Sequence, residues 1–401
     1  ILGLLVSKNK KVRDGAAQAF NNLLEKNIKI GENELNSILA NKQVDDELRG
    51  FSRPDLSRHI SDDIDSSVID SMTKTVADNF SVSQNFYKLK ARLLKVKKLK
   101  YHERNLPVGN SEINYSYEKS KKIVQKVLTD LDSDFIDIFN SFNDHGQIDV
   151  YPRAGKRSGA FCAAEAISNP TYILLNHTNK LNDVLTLAHE VGHGINNEAM
   201  RKTQNSLNFG TTVATAEVAS TFFEDFVLKE ILKTANEEER FEIMMEKITQ
   251  DVSSIFRQVA LYLFEQELHK EFRKKGYLSH SEIGKIFQKH MSAYMGPAVE
   301  KSKGSENWWL YWSHIRSFFY VYSYASGLLI SKSLQNSVAK DKLFIKKIKY
   351  FLSTGLSESP QNTFGKLGIN IRNDEFWKKG INEIKDLLTE TEKLAKRLKK
   401  I

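Results

Sequence analysis

The chain has 401 residues, of which 40% are hydrophobic and 27% are charged, as in a folded globular protein. This length exceeds the usual limit for one hydrophobic core, so two subdomains or one elongated helical body are expected. No stretch supplies the roughly 18 uncharged apolar residues of a membrane helix, and the nearest candidate, 318–330, is too short. The sequence therefore predicts no membrane span.

The net charge of +9 comes from 59 basic and 50 acidic residues. The lysines are scattered and no aromatic residues alternate with them, so solvated helix faces are favoured over a nucleic-acid groove. Cys162 is the single cysteine, which excludes an intrachain disulfide and suits a reducing compartment, so the cytoplasm is the expected location. The oligomeric state is left open by the sequence.

Apolar residues three and four positions apart predict helices along most of the chain. The apolar start, 1–6, is interpreted as part of a helix and lacks an initiator Met, so residues upstream of Ile1 are expected. Asn373 and Asp374 occupy the capping position of the last predicted helix. The clearest predicted helices cover 12–24, 68–80, 123–139, 241–272 and 376–398.

Between 147 and 176 the pattern changes to short segments rich in β-branched and aromatic residues, separated by Gly and Pro turns. These segments predict a small sheet. They cover 147–151, 159–163 and 171–175. A turn at 105–110 marks the expected boundary between a helical N-terminal segment, 1–108, and a catalytic helical domain, 109–401.

The predicted helix 181–197 contains the HExxH pattern. Residues i and i+4 share one helix face, so His189 and His193 can bind one metal ion while Glu190 lies beside them. Imidazole ligands suit zinc, which generates hydroxide from bound water near neutral pH, and Glu190 would take the proton of that water. The pattern therefore predicts one catalytic zinc ion per chain.

Catalytic zinc needs a third protein ligand. The position ten residues after His189 is Ala199, so the ligand must come from another element. The predicted helix 212–228 carries Glu217 among small residues that permit close helix approach, which makes Glu217 the favoured ligand.

Two other glutamates lie near these positions in sequence. Glu198 faces about 140° away from His193 at ~100° per residue and is a poor rival as a ligand. Glu224 lies two turns after Glu217 on the same helix face. It either orients a ligand imidazole from behind or is a plain surface carboxylate.

The segment 312–327 concentrates one histidine, His314, and three tyrosines, Tyr320, Tyr322 and Tyr324. The alternation of aromatic residues predicts a strand, and burial in a helix wall is the competing interpretation. A phenol near zinc can donate a hydrogen bond without carrying charge, which suits a carbonyl that becomes an oxyanion.

Several motifs, taken in their order along the chain, resemble those of the thimet oligopeptidase and oligoendopeptidase F group of zinc peptidases. The oligoendopeptidase F branch is the closer match. The matching segments are 149–153, 155–160, 186–193, 216–221, 294–300 and 319–327. The resemblance implies a mainly α, bowl-shaped or clam-like fold around a deep channel, with the small sheet beside the HExxH helix. It implies an endopeptidase that hydrolyses internal bonds of short unstructured oligopeptides.

The resemblance also implies residue roles. His314, Tyr320 and Tyr324 match the residues that bind the substrate carbonyl and the intermediate, and helix is favoured over strand for 318–327. The strand containing Gly159, Ala160 and Phe161 would pair with the substrate backbone. Tyr322 is expected to contact substrate as well.

Two departures from the family pattern stand out. Members of the branch carry a further N-terminal helical region ahead of the part that begins with Ile1, so one wall of the channel is expected to be missing. Arg316 and Ser317 also stand where tyrosines are common.

Two alternatives remain open. A zinc dipeptidyl peptidase or carboxypeptidase would need a cationic clamp for the terminal carboxylate, and Arg153, Arg157 and Arg316 are the candidates. A non-catalytic basic helical binding protein is the second alternative. It is disfavoured because a scaffold does not need an HExxH helix together with Glu217.

Overall fold

The computed structural model describes residues 1–109 and 114–401. Helix dominates these ranges, which confirms the mainly α fold class. The α-helices are α1 Lys10–Leu48, α2 Leu56–Ser61, α3 Ser66–Asp78, α4 Phe80–Leu93, α5 Tyr117–Leu131, α6 Ser133–Asp144, α7 Leu181–Thr203, α8 Val213–Thr234, α9 Glu237–Asp251, α10 Arg257–Lys275, α11 His280–Met295, α12 Tyr322–Lys340, α13 Ile345–Thr354, α14 Pro360–Lys366 and α15 Asp374–Arg397.

Shorter turns connect several of these helices. A π-helical turn, Val252–Phe256, joins α9 to α10 and divides the helix predicted over 241–272. The apolar start of the chain forms a 3-10 helix, Leu2–Val6, instead of an α-helix. Further 3-10 helices cover Tyr101–Asn105, Gly296–Ala298, Ser305–Leu310, Ser313–Arg316 and Lys342–Phe344.

Polar side chains at helix ends set the boundaries. Asn373 accepts a hydrogen bond from Glu375 N–H at 2.9 Å at the start of α15, as predicted. Asp132 is extended, with φ −166° and ψ 142°, and its side chain accepts from Asp134 N–H at 3.0 Å. Because this residue ends α5 and caps α6, the helix predicted over 123–139 is two helices.

The predicted sheet is present with shorter strands, β1 Ile148–Asp149, β2 Phe161–Ala163 and β3 Tyr172–Leu174. β3 is central; it pairs parallel with β1 and antiparallel with β2. Both β2 and β3 contact α7, the helix that carries the HExxH pattern. The sheet thus lies beside that helix, as expected, and β2 forms one of its edges.

The described chain forms two compact units. The first contains Ile1–Gly109, Met244–Ala325 and Ile381–Ile401; the second contains the described part of 110–243 together with Ser326–Gly380. The first segment of this unit ends at Gly109, next to the boundary expected at 108. The assignment of 109–401 to a single catalytic domain stays a prediction.

None of the helices in the described ranges combines the length and apolar character that a membrane crossing requires.

Backbone strain is concentrated in the first unit between Ser313–Arg316 and α12. Phe318 and Phe319 have φ values of 38° and 57°, and left-handed backbone costs a residue other than glycine about 1–2 kcal/mol. The α-helix begins only at Tyr322. The resemblance is therefore right about helix from 322 onward, while 318–321 is a turn and the strand interpretation is wrong.

Candidate metal centre

One face of α7 is buried and apolar, and the two histidines lie on the face next to it. Val184, Leu187 and Val191 are fully buried and hold one face of the helix in the second unit. His189 and His193 lie on the adjacent face with their ring centroids 4.9 Å apart. The i, i+4 spacing therefore places the two imidazoles as expected.

α8 brings Glu217 to both imidazoles. Glu217 Oε2 lies 3.3 Å from His189 Nε2 and 3.8 Å from His193 Nε2. Donor atoms of the three residues all lie within 4.8 Å of one another, close enough to share one metal ion. We call these three residues the His–Glu cluster.

Hydrogen bonds orient the members of the His–Glu cluster. Ser220 Oγ donates to Glu217 Oε2 at 3.1 Å. Glu224 Oε2 lies 3.3 Å from His189 Nδ1, so a proton on Nδ1 leaves the lone pair of Nε2 directed at the cluster. Of the two interpretations of Glu224, this contact favours the one in which it orients a ligand imidazole. The contribution of Ser220 was not anticipated from the sequence.

Two glycines permit the close helix packing behind the cluster. A Cβ at Gly192 in α7 would lie 2.8 Å from the Ser220 Cα, and a Cβ at Gly327 in α12 would lie 2.8 Å from the Glu217 Cβ. Both distances are shorter than real contacts, so any side chain would force the helices apart. A glycine inside a helix is unfavourable by itself. Its presence at position 192 of a predicted helix is therefore a sequence signal of close packing at that position.

Burial and mutual interaction set the charges of the cluster. Burial lowers the pKa of His189, but hydrogen bonds with Glu217 and Glu224 outweigh it and raise that pKa to about 10. Burial raises the pKa of Glu217, but its hydrogen bond with His189 brings it down to about 2. Burial and the nearby His189 lower the pKa of His193 to about 4. The cluster therefore stabilises positive charge between its donor atoms, and its imidazole and carboxylate donors fit a divalent cation.

Glu190 lies beside the His–Glu cluster but in a different environment. It is 6% exposed, and burial raises its pKa to about 7. The backbone N–H of Cys162 in β2 donates a hydrogen bond to its carboxylate. A carboxyl group that gains and loses a proton near neutral pH suits general acid–base chemistry.

A second group of potential ligands, Asp14, His102 and Glu103, occurs in the first unit. Lys10 Nζ lies 2.6 Å from the Asp14 carboxylate, and Arg13 lies 2.9 Å from that of Glu103. Because cationic side chains already neutralise these carboxylates, the group is an ion-pair network and does not fit a metal ion.

The loop before β2 contains the residues expected to pair with substrate. Gly159 has a φ of 84°, and its carbonyl accepts from the Asn176 side chain at 2.7 Å. Lys156, whose side chain is 1% exposed, donates to the carbonyls of Asp149 and Tyr151 at 3.1 and 2.8 Å. Ala160 and Phe161 follow at the half-buried sheet edge. The role of Gly159, Ala160 and Phe161 stays a prediction.

Three of the predicted site residues, His314, Tyr320 and Tyr324, form a cluster in the first unit. His314 Nε2 and the Tyr324 hydroxyl are hydrogen-bonded at 3.0 Å, and the Tyr320 ring centroid lies 5.8 Å from that of His314. Tyr322 points elsewhere: its ring is fully buried and its hydroxyl donates to Asp62. In this structure Tyr322 is a core residue, in contrast to the substrate contact expected from the sequence.

The remaining candidates have structural partners. Glu198 accepts from Thr171 Oγ1 at 2.6 Å and from Arg201, in agreement with its rejection as a ligand. Arg316 forms two hydrogen bonds of 2.6 Å with the carboxylate of Glu34. Arg153 pairs with Asp149 at 2.7 Å, and Arg157 lies over the Phe161 ring.

Together, the helical fold and the His–Glu cluster beside a small sheet define a helical protein with a candidate metal centre. The sequence model of Peptidase family M3 matches residues 4–383, so the chain belongs to this family.

Curated relatives agree with the branch expected from the motifs. "Oligoendopeptidase F, chromosomal" of Lactococcus lactis subsp. cremoris is 23% identical over 98% of this chain and 66% of its own length. "Oligoendopeptidase F homolog" of Borreliella burgdorferi is 26% identical over 97% of this chain and 67% of its own length. The chain thus spans about two thirds of these relatives.

Solved structures share the fold. A crystal structure assigned to a Chlamydophila abortus peptidase superposes with a TM-score of 0.89 at 22% identity, over 98% of this chain and 66% of that one. Oligoendopeptidase-F from Enterococcus faecium gives a TM-score of 0.78 at 20% identity, over 99% and 66%.

Gly192→Ala should separate α7 from α8. The added Cβ has no room against Ser220, so we expect a loss of about 1–3 kcal/mol in the free energy of unfolding and weaker zinc binding. Denaturant unfolding and zinc titration of the metal-free protein measure both effects. Gly365→Ala in α14 is the control, since nothing lies within 4 Å of that Cβ. Native zinc affinity in Gly192→Ala would contradict the packing argument.

Lys156→Met should loosen the loop 150–160. The variant keeps the side-chain length but removes the Lys156 donor from the Tyr151 carbonyl, while the Asp149 carbonyl keeps the Leu175 N–H; we expect a loss of about 1–3 kcal/mol in local stability. Hydrogen exchange of peptides covering the loop should become faster. The exposed Lys122→Met in α5 is the control, and equal exchange in both variants would show that Lys156 does not hold the loop.

Proposed function

We propose that this chain is a zinc-dependent metalloendopeptidase that hydrolyses internal bonds of short unstructured oligopeptides. The observation that carries the proposal is the convergence of His189, His193 and Glu217 with Glu190 beside them. Membership of family M3 and the relatives named oligoendopeptidase F support the reaction and the peptide length. The cytoplasmic location expected from the single cysteine stays a prediction.

In this proposal His189, His193 and Glu217 would hold a zinc ion. Zinc, when bound, polarises the scissile carbonyl and lowers the pKa of water. The Glu190 carboxylate accepts the proton of the attacking water and passes it to the leaving amine nitrogen. Its burial makes both steps accessible near neutral pH, since its pKa is raised to about 7.

The other residues bind and orient the peptide. The outer edge of β2 would pair with the backbone of an extended peptide, a mode of binding that recognises peptides with little regard to side chains. His314 and the phenols of Tyr320 and Tyr324 donate to the carbonyl oxygen as negative charge develops there. These roles are the ones that the resemblance implies. The kinetics of Tyr320→Phe and Tyr324→Phe test the roles of the two phenols.

The structure favours the endopeptidase over an exopeptidase. Two of the three arginines named as a carboxylate clamp form ion pairs, Arg316 with Glu34 and Arg153 with Asp149, and Arg157 lies over the Phe161 ring. A peptide blocked at both termini distinguishes the two activities. Internal fragments in the mass spectrum support the endopeptidase, whereas a requirement for a free C-terminus would favour the alternative.

Glu190→Gln should retain zinc and lose activity by roughly 10²–10⁴-fold, because an amide can neither accept nor return the water proton. Metal analysis of the purified variant and a quenched-peptide assay measure the two properties. Glu118→Gln, at an exposed position of α5, is the matched control. Full activity in Glu190→Gln would remove this residue from the mechanism.

Tyr320→Phe and Tyr324→Phe should each lower kcat by roughly 10²–10³-fold if the phenol stabilises the oxyanion, with little change in KM. Steady-state kinetics on the same peptide give both constants. Tyr311→Phe, a tyrosine of the first unit that is 51% exposed, is the control. A variant with the original kcat would assign its tyrosine to packing alone.

A further inference from the structure

Two consecutive aromatic residues hold left-handed backbone conformations just before Tyr320. The φ values are 38° at Phe318 and 57° at Phe319, where Cβ crowds the carbonyl oxygen of a bulky residue. Packing opposes this strain. The fully buried Phe319 ring has its centroid 5.5 Å from Tyr262 and 5.0 Å from His269. The surroundings therefore impose the turn.

Glu265 in the middle of α10 contacts this turn directly. Its side chain is 0% exposed, and Oε2 accepts the Phe319 N–H at 2.7 Å. Oε1 has no hydrogen-bond partner among the described residues. Burial raises the pKa of this carboxyl group to about 8, so it is mostly neutral at pH 7. An apolar side chain would be more stable at such a position, so the carboxyl group points to a requirement of the Phe319 backbone.

The turn fixes where Tyr320 lies. The Tyr320 ring centroid is 5.8 Å from His314 and 5.6 Å from Tyr324. Behind it, the backbone and side chain of Ser323 both donate to the Tyr320 carbonyl, at 3.2 and 2.8 Å. Right-handed conformations at 318 and 319 would redirect the chain. The Tyr320 ring would then lose its contacts with the other two rings.

We propose that Glu265 is a positioning residue of the peptidase reaction: by accepting the Phe319 N–H it holds the left-handed turn that keeps the Tyr320 phenol beside His314. The inference rests on the proposed function, in which that phenol meets the substrate carbonyl. Glu265 contacts the backbone of Phe319. Its effect on the rate passes through Tyr320.

A double-mutant cycle with Tyr320→Phe tests this inference. Glu265→Leu removes the acceptor, and we expect kcat to fall roughly 10- to 100-fold with KM changed less than about two-fold. Glu265→Gln retains a carbonyl oxygen that accepts the Phe319 N–H, so it should restore most of kcat. In a Tyr320→Phe background, Glu265→Leu should have no further effect, because the group that it positions is gone. The Phe319 amide should exchange faster in Glu265→Leu and not in Glu265→Gln.

Several results would overturn the inference. An unchanged kcat, or the same loss in both backgrounds, would give Glu265 a merely structural role. If the original chain cleaves no peptide, the proposed function fails and this inference fails with it. If the original chain is active and the cycle shows no coupling, only the inference fails.

A second pair of variants covers the case in which Glu265→Leu does not fold. Glycine adopts the φ of position 318 without strain and alanine does not, while both remove the same ring. Phe318→Gly should therefore keep a higher kcat than Phe318→Ala, and the difference should vanish in a Tyr320→Phe background. Equal kcat values for the two variants would contradict the role of the turn.

Discussion

The close contact of α7 with α8 is the constraint on which the metal centre depends. At Gly192 the helices approach so closely that a Cβ would lie 2.8 Å from the Ser220 Cα. At this separation Glu217 Oε2 lies 3.3 Å from His189 Nε2 and 3.8 Å from His193 Nε2. The start of α12 supports α8 from another side, where Ser326 Oγ donates to the Ala214 carbonyl at 3.1 Å. The ligand geometry thus depends on close backbone packing as well as on the ligand side chains.

Two glutamates near the same imidazoles have different surroundings and therefore different pKa values. Glu217 lies against His189, and this contact keeps its pKa near the bottom of the acidic range, at about 2. Glu190 has burial as its dominant influence, and its pKa rises to about 7. One carboxyl group is therefore a permanent anion, suited to holding a cation, and the other exchanges a proton. Separation of two pKa values by surroundings is a general way to assign different roles to identical groups.

Local patterns predicted much of this arrangement. Helical spacing placed His189 and His193 together, and small residues around position 217 indicated a closely packed helix. Features set by tertiary packing were not predictable in the same way. The buried Tyr322 hydroxyl donates to Asp62, 260 positions away, and the left-handed turn contacts a carboxyl group of α10. The return of 244–325 and 381–401 to the first unit likewise leaves no signal in composition.

Cys162 adds a property of the edge strand that follows from its place. Burial raises the pKa of this thiol to about 12, so almost none of it is thiolate, the form that alkylating reagents attack. Its backbone N–H meanwhile contacts Glu190. The residue is only half-buried, so the low thiolate fraction is what limits its reaction with such reagents. As the single cysteine of the sequence, it is the one thiol that such reagents can modify, and alkylation at neutral pH is therefore expected to be slow.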